Sequence, residues 1–293
     1  MSRNILLVTN ASRESAIDAF WEAADLLQRH GLNPISIEEG FQEMTKTGTE
    51  LEVYKDQEIE LALVLGGDGT ILRAAESLRG HNVPILGLNL GHVGFMAEAE
   101  REDMPEIISR IADRNYSTSA RMALEVEVYS GKDKVFSSWA LNEVALEKSS
   151  REKILEVAIE VDSRPISSFG CDGVVFSTPT GSTAYNFSAG GPIVWPDVEA
   201  LLVVPLSAHA LFSRPLVVDR NSRLAVEILN RNIGGGIVSC DGRRTFDLSP
   251  GSRVEVFKSP VPVQLAVFED RPFADRLVKK FNLPVAGWRG PDS

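Results

Sequence analysis

Apolar and polar residues in the first 120 positions alternate between short apolar runs and stretches with helical spacing. The runs Ile5–Val8 and Leu61–Leu65 are continuous, as expected for strands buried on both faces of a sheet. Between them, apolar residues recur every three or four positions and Gly31 follows as a stop, which predicts a helix. This alternation indicates a parallel sheet with helices on its faces. The same reasoning predicts strands at Pro34–Ile37 and Pro84–Asn89, helices at Ile71–Arg79 and Glu102–Asp113, and an aperiodic connection at Phe41–Lys55.

Beyond Arg121 the apolar residues follow a different period. Ala123–Tyr129 alternates with period two and ends in the polar turn Ser130–Asp133. Repeated short strands of this kind predict an antiparallel β domain, and Phe273–Phe281 then returns to helical spacing. Further strands are predicted at Trp139–Leu146, Ile154–Val161, Val174–Phe176, Leu224–Leu229, Ile237–Asp241 and Val254–Phe257.

Composition and charge exclude several functions. The 293 residues suggest about two domains, and 30 basic against 41 acidic side chains give a net charge of −11. Non-specific binding to nucleic acid or to an anionic membrane needs a basic surface, so neither partner is expected. The chain shows neither a secretion signal nor an apolar run long enough to span a bilayer, so we expect a cytoplasmic protein with reduced Cys171 and Cys240. The four histidines lack metal-ligand spacing, and no protein metal site is predicted.

The stretch Gly66–Thr70, with sequence Gly-Gly-Asp-Gly-Thr, lies between a predicted buried strand and a predicted helix. Its glycines let a ligand approach the backbone, and the N–H groups at the helix start suit a phosphate chain. No lysine follows, as a P-loop would require, and Leu72 stands where a dinucleotide fingerprint needs glycine. Asp68 is the one ionisable residue in the turn. Because glycines flank it, we expect an exposed carboxylate that serves as a base toward a hydroxyl or as a magnesium ligand.

Two further stretches carry candidate binding chemistry. Asn142–Glu143 interrupts an apolar strand, where a carboxylate is costly unless it has a partner, and the pair suits the paired hydroxyls of a ribose. A pair at a strand edge facing water is the alternative. Ser177–Tyr185 is rich in small hydroxyl residues and precedes the tight turn Ala189–Pro192, which favours a wall for a planar base and a sugar over a surface loop. The tripeptide Cys-Asp-Gly occurs at Cys171–Gly173 and again at Cys240–Gly242, by chance or as a trace of repetition.

Taken together, these stretches resemble the bacterial NAD kinase family. The resemblance extends from about Leu61 to Pro284 and includes Asn89–Phe95, Ser188–Pro192 and Ser207–Pro215 besides the motifs above. The glycine turn alone is shared with lipid kinases and phosphofructokinases, whereas Thr178–Tyr185 together with Asn142–Glu143 is narrower. A lipid or sugar kinase, and a protein that senses NAD without catalysis, are the alternatives.

The resemblance implies a fold, a reaction and an assembly. The fold is an α/β domain at 1–120, completed by a returning segment at 270–293, and a β-sandwich-like NAD-binding domain at 121–269. The reaction transfers the terminal phosphoryl group of ATP, or of polyphosphate in some relatives, to the adenosine 2′-hydroxyl of NAD, with a divalent cation such as Mg²⁺. Family members form homodimers or homotetramers with NAD near a subunit contact.

The resemblance also assigns roles to matching residues. Asp68 would orient or deprotonate the 2′-hydroxyl, and Gly67, Gly69 and Thr70 would approach phosphates. Helix spacing adds Arg73 as a contact to the donor phosphates. Many relatives carry a basic or polar residue where Gly170 stands, which puts that contact to NAD in doubt. The remaining NAD contacts would come from Phe95, Asn142, Glu143, Asp172, Thr183, Ala184, Tyr185 and Ser188.

Overall fold

The computed structural model describes residues 3–10, 14–37, 51–55, 57–91, 94–150, 153–269 and 272–285. Contacts divide the chain into two compact units, residues 1–120 with 263–293, and residues 121–262. The segment that returns to the first unit was predicted to begin at position 270. In the structure the return begins earlier, because a strand at Val263–Val267 pairs within the first unit's sheet.

Strands and helices alternate in the first part of the described chain, and strands dominate the second. The strands are β1 (Asn4–Thr9), β2 (Asn33–Ser36), β3 (Glu52–Val53), β4 (Leu61–Leu65), β5 (Ile85–Asn89), β6 (Ala97–Glu100), β7 (Ser117–Arg121), β8 (Leu124–Ser130), β9 (Asp133–Ala140), β10 (Glu143–Lys148), β11 (Leu155–Val161), β12 (Arg164–Cys171), β13 (Gly173–Ser177), β14 (Ala200–Leu206), β15 (Leu216–Asp219), β16 (Leu224–Ile228), β17 (Gly236–Cys240), β18 (Arg244–Leu248), β19 (Ser252–Lys258) and β20 (Val263–Val267). The helices are α1 (Glu14–Arg29), α2 (Asp68–Ser77), α3 (Met104–Ala112), α4 (Tyr185–Ser188) and α5 (Phe273–Phe281). Among these residues, no helix is both long enough and apolar enough to cross a membrane.

The first unit is built on an eight-stranded sheet in the order β3-β2-β1-β4-β5-β20-β7, with β6 beside β5. Strands β1, β4 and β5 are parallel neighbours, and every residue of β4 and β5 is buried. Their apolar side chains pack with α1 and α3 into one core. Because parallel strands end at the same edge, this arrangement places the ends of β1, β4 and β5 together. The predicted parallel sheet is confirmed.

Helix α2 differs from its predicted extent. It starts at Asp68, three residues before the predicted Ile71, with Gly67 at the cap position. The apolar spacing that marks a helix begins only at Ile71, which is buried, whereas the first turn contains polar and glycine residues. Asp68 is therefore the first residue of a helix.

The second unit consists of two six-stranded antiparallel sheets, β15-β14-β13-β10-β17-β18 and β12-β11-β16-β19-β8-β9. Alternate residues of both sheets meet in one buried cluster, which includes Val144 and Leu146 of β10 and Val126 and Val128 of β8. The opposite face of β10 carries Ala145, which packs with Val175 and Val204 in a smaller cluster. The predicted antiparallel β domain is confirmed, and its two layers form a sandwich.

The single strand predicted at Trp139–Leu146 is wrong. The chain forms β9 up to Ala140 and β10 from Glu143, and these strands belong to different sheets. The apolar run continues through Leu141, so the sequence pattern shows no break. The break arises because the N–H groups of Leu141 and Asn142 donate to a side chain about 100 residues away, described below.

A charged cluster at Glu60 connects the starts of β1 and β4 to the end of α3. Arg3 donates to both carboxylate oxygens, at 2.7 and 2.5 Å, and Arg114 donates at 3.1 Å. Arg3 also donates to the backbone oxygens of Ile111 and Ala112, at the end of α3. The hydrogen bond from Arg3 is the largest cause that lowers the pKa of Glu60 to about 2.

We expect Glu60→Gln to lower the free energy of unfolding at pH 7 by about 1–3 kcal/mol, because it removes a carboxylate that two guanidinium groups bind. The folded pKa of Glu60 lies below that of the unfolded chain, so its stabilisation is present above pH 4.5 and is lost as the pH falls toward 2. Urea unfolding at several pH values measures this. The exposed Glu58→Gln is the control, and a pH-independent difference would contradict the argument.

Candidate active site

The glycine turn lies at the end of β4, on the sheet edge where the parallel strands end. The Gly66 N–H donates to the Leu88 oxygen of the neighbouring strand at 2.9 Å. A Cβ at Gly66 would lie 2.5 Å from Thr70 Oγ1, so only glycine lets Thr70 fold back over the turn. The N–H groups at the start of α2 have no acceptor one turn earlier within the helix. Gly67, Asp68 and Gly69 therefore present backbone donors at this edge.

The Asp68 carboxylate is held by the backbone of a second loop. The Phe95 N–H donates to Oδ2 and the Met96 N–H donates to Oδ1, both at 3.0 Å. Gly94 makes room for it, since a Cβ there would lie 2.4 Å from Oδ1. Our expectation of a carboxylate exposed between glycines needs correction, because the residue is half-buried and both oxygens already accept a hydrogen bond. The result is a carboxylate with a fixed orientation.

Two other predicted residues of the first unit have protein contacts. Arg73 extends to the end of β1, where it donates to the backbone oxygen of Thr9. The ring of Phe95 packs against Phe273 and Phe281 of α5, with centroids 6.0 and 5.7 Å apart. Phe95 thus contributes a backbone donor to Asp68 and an aromatic contact to α5. His92 and Val93 of the same motif lie outside the described residues.

In the second unit, Asp241 organises the Asn142–Glu143 segment. Its Oδ1 accepts the N–H groups of Asn142 at 2.8 Å and Glu143 at 3.4 Å, and its Oδ2 accepts that of Leu141 at 3.0 Å. Arg244 donates to Oδ2 at 3.1 Å. Asp241 was not among our candidates. The repeated Cys-Asp-Gly tripeptide was the available signal, although the two copies differ: Asp241 has φ 52° in a turn, whereas Asp172 precedes a strand.

The side chains of Asn142 and Glu143 are buried but incompletely satisfied. Their exposed fractions are 7% and 9%, yet Asn142 Oδ1 and Glu143 Oε2 have no hydrogen-bond partner among the described residues. Burial, and the nearby Asp241 charge, raise the pKa of Glu143 to about 7, against a smaller opposing effect of a backbone hydrogen bond from Tyr185. The alternative of a pair facing water is thereby wrong.

The hydroxyl-rich stretch is interlocked with Asn142. A Cβ at Gly181 would lie 2.0 Å from the Asn142 backbone oxygen, so glycine is required for this approach. Thr178 Oγ1 donates to the Leu141 oxygen at 2.6 Å and accepts the Gly181 N–H at 3.0 Å. The two motifs that the sequence shows 35 residues apart therefore form one structure. Residues Thr180–Thr183 form a short 3-10 helix there, with Thr183 and Ala184 half-buried and Ser188 exposed on α4.

Tyr185 lies along the outer face of β10. Its ring packs beside Ala145, Val175 and Val204, and its hydroxyl donates to Glu147 Oε1 at 2.8 Å. Burial, followed by the hydrogen bond to Glu147, raises the pKa of Tyr185 to about 12. Glu147 was not predicted, although it follows Glu143 on the same face of the strand by period two.

Asp172 and Gly170 lie at the other end of β13 from Ser177. The Asp172 side chain is 45% exposed and pairs with Lys148 at 2.5 Å, and the Lys148 hydrogen bond lowers the pKa of Asp172. A Cβ at Gly170 would lie 2.6 Å from Ile154 Cγ2. A larger residue at position 170 would therefore displace Ile154. Among the described residues, no group of three or more His, Cys, Asp or Glu side chains could hold a metal ion.

Two family models match the chain. The model described as the ATP-NAD kinase N-terminal domain matches residues 5–116, and the one described as the ATP-NAD kinase C-terminal domain matches residues 141–268. The matched ranges follow the two structural units, and together they cover most of the chain.

Individual proteins show the same similarity. An NAD kinase of Leifsonia xyli subsp. xyli is 54% identical over 297 residues, covering 99% of this chain and 98% of its own. NAD kinase 2 of Streptomyces coelicolor is 50% identical over 294 residues, covering 98% and 97%. Among solved structures, yeast NADH kinase complexed with NADH has a TM-score of 0.87 at 22% identity, covering 98% of this chain and 89% of its own. An NAD kinase from Archaeoglobus fulgidus in complex with ATP has a TM-score of 0.73 at 24% identity, covering 97% and 100%. At these identities the solved structures establish the fold.

We expect Glu143→Gln to raise the free energy of unfolding at pH 8 by about 1–3 kcal/mol, because burial disfavours the charged carboxylate. The folded pKa of about 7 exceeds the usual 4.5, so the native state holds this proton more tightly and stability falls as the pH rises between these values. Near pH 4 the two proteins should have equal stability. Thermal or urea unfolding at both pH values tests this, with Glu58→Gln as the control. A variant less stable than the parent at pH 8 would contradict the assigned cause.

Proposed function

The chain belongs to the ATP-NAD kinase family, and from this premise we propose that it transfers the terminal phosphoryl group of ATP to the adenosine 2′-hydroxyl of NAD, giving NADP. The observation that carries this proposal is the pair of buried, unpartnered oxygens on Asn142 and Glu143. A buried polar atom without a partner costs about 1–3 kcal/mol. A chain that retains two of them on consecutive residues is suited to a ligand that supplies the missing hydrogen bonds.

A ribose fits this requirement. Its adjacent hydroxyls can donate to Asn142 Oδ1 and Glu143 Oε2, and the amide of Asn142 can donate in return. Tyr185, whose backbone N–H donates to Glu143, offers an aromatic ring, and Thr183 and Ala184 immediately before it are half-buried. We assign these residues, with Ser188, Phe95 and Gly69, to the base and sugar contacts of NAD, and Asp172 to its nicotinamide side.

Asp68 is assigned as the catalytic residue. Phosphoryl transfer has a loose transition state, so orientation of the acceptor hydroxyl matters more than a strong base. The two backbone hydrogen bonds from Phe95 and Met96 fix the direction of the carboxylate before substrate arrives. Each carboxylate oxygen accepts through more than one lone pair, so Asp68 keeps capacity for the 2′-hydroxyl. Its role is to hold that hydroxyl in line and to take its proton.

The donor phosphates are assigned to the glycine turn. Gly67 brings a backbone N–H group at the start of α2, Thr70 brings its side-chain hydroxyl over the same turn, and Arg73 brings a guanidinium group to the end of β1. Among the described residues, no group of three or more His, Cys, Asp or Glu side chains could hold a cation, so a Mg²⁺ would be held mainly by phosphate oxygens, and Asp68 is the one carboxylate of the glycine turn. When bound, Mg²⁺ would neutralise phosphate charge. ATP is the proposed donor, and polyphosphate is a second donor to be tested in the same assay.

Self-association is proposed for the second unit. Leu211 and Phe212 are exposed, and the loop that carries them pairs at His209 with Gly170, beside exposed Ile154. Apolar side chains grouped in this way favour a contact between copies, so we propose a homodimer or homotetramer. Sedimentation at several concentrations measures this. The buried thiols of Cys171 and Cys240 are unpaired, which supports a cytoplasmic location.

One assay tests the proposed reaction and its alternatives. Purified protein is mixed with Mg²⁺, ATP and NAD, and NADP is detected with an NADP-specific dehydrogenase. A lipid or sugar kinase, or a protein that only senses NAD, would produce no NADP. Replacing ATP by polyphosphate in a parallel reaction measures donor choice.

Asp68→Asn should lower turnover by about 10²–10⁴-fold while the protein stays folded, because the amide cannot accept the hydroxyl proton. The measurement is the steady-state rate of NADP formation together with the melting temperature. Asp133→Asn, at an exposed hairpin position, is the matched control. Near-normal turnover of folded Asp68→Asn would remove Asp68 from the mechanism.

Asn142→Ala should raise the KM for NAD about tenfold or more and leave the KM for ATP within about twofold, because the lost amide contacts the acceptor ribose. The two Michaelis constants are measured separately at saturating second substrate. An unchanged KM for NAD in Asn142→Ala would count against the ribose assignment.

Arg73→Ala should raise the KM for ATP, because the Arg73 guanidinium is assigned to the donor phosphates. An unchanged KM for ATP would count against that assignment.

A further inference from the structure

Helix α5 is attached to the first unit by a few specific contacts. None of its residues is buried. A cavity of about 450 Å³ is lined by α5 and β6 and extends to Asn89 and Gly94. Because α5 lacks a buried apolar face, its position depends on individual ion pairs and ring contacts.

Four residues of α5 contact one segment, Gly94–Glu100. Arg276 pairs with the buried Glu98 at 2.5 Å, and Lys279 pairs with Glu100 at 2.5 Å. Phe273 and Phe281 pack against the ring of Phe95, with centroids 6.0 and 5.7 Å away. The first residues of this segment are the ones whose N–H groups hold the Asp68 carboxylate.

We propose that α5 is a positioning element for the catalytic carboxylate, acting through the Phe95 ring and the Phe95 and Met96 N–H groups. The inference rests on the proposed role of Asp68. Phe95 joins the two contacts within one residue, since its ring touches α5 while its N–H donates to Asp68. A shift of the ring therefore turns the peptide group that orients the carboxylate.

The size of the effect follows from the geometry of transfer. A displacement of about 1 Å at a reacting group can cost about 10²-fold in rate. Because Phe95 is also assigned to the NAD contacts, its displacement affects the binding of NAD as well as the orientation of Asp68. Loss of an α5 contact should therefore lower kcat by more than it raises the KM for NAD, and it should leave the KM for ATP nearly unchanged.

The test compares Phe281→Ala with the control Lys280→Ala on the same helix. We expect Phe281→Ala to lower kcat at least tenfold, with the KM for ATP within about twofold and any rise in the KM for NAD smaller than the fall in kcat, while Lys280→Ala leaves kcat within about twofold. Phe281→Leu, which retains apolar volume, should recover part of the rate and serves if the alanine variant does not fold. Unchanged kcat in a folded Phe281→Leu and Phe281→Ala pair would overturn the proposal.

A double-variant cycle separates positioning from a general loss of structure. If α5 acts through Asp68, Phe281→Ala should lower kcat by less than twofold in the Asp68→Asn background. An equal tenfold loss in both backgrounds would overturn the inference while leaving the role of Asp68 intact. Normal turnover of Asp68→Asn alone would instead show that the proposed function of Asp68 has failed.

Discussion

The second unit depends on one buried carboxylate. Asp241 accepts N–H groups from Leu141, Asn142 and Glu143, which ends one strand and lets the chain cross to the other sheet. At that crossing the backbone of Asn142 is fixed so closely that only glycine fits at position 181. Both features have the same consequence. Asn142 Oδ1 and Glu143 Oε2 are held in a buried position without a hydrogen-bond partner among the described residues. The fold therefore fixes the position of the two oxygens that we propose bind a ribose.

The first unit uses the same interaction for a different purpose. Asp68 also receives consecutive backbone N–H groups, from Phe95 and Met96. Asp241 is almost fully buried and ion-paired with Arg244, so both of its carboxylate oxygens are occupied by backbone N–H groups and this guanidinium. Asp68 is half-buried at a sheet edge, so its carboxylate is oriented but still reachable. Burial and the presence of a cationic partner distinguish the structural carboxylate of Asp241 from that of Asp68, for which we propose a catalytic role.

Local pattern predicts those parts of the fold whose cause is local. The run Leu61–Leu65 and the helix Phe273–Phe281 match their predicted bounds. A strand buried on both faces leaves a continuous apolar run in the sequence, and a helix leaves apolar residues at helical spacing. The break at Leu141 and the role of Asp241 could not be predicted, since they arise between residues about 100 positions apart. The glycine turn and the Asn142–Glu143 pair could be recognised from the sequence as candidate functional residues. Their hydrogen-bond partners were not, because backbone donors such as the Phe95 N–H leave no mark in the sequence.

The position of Asp68 answers the electrostatic problem that the net charge poses. A chain with charge −11 that places a carboxylate inside the turn that we propose binds phosphate should repel anionic substrates. The two N–H dipoles on Asp68 offset part of that charge locally, and the start of α2 adds further positive potential at the same edge. Arg73 contributes the full positive charge nearest to this turn along the helix. The oriented N–H dipoles at this turn can therefore outweigh the repulsion from the net negative charge of the chain. Screening in water weakens the distant charges more than it weakens contacts within the site.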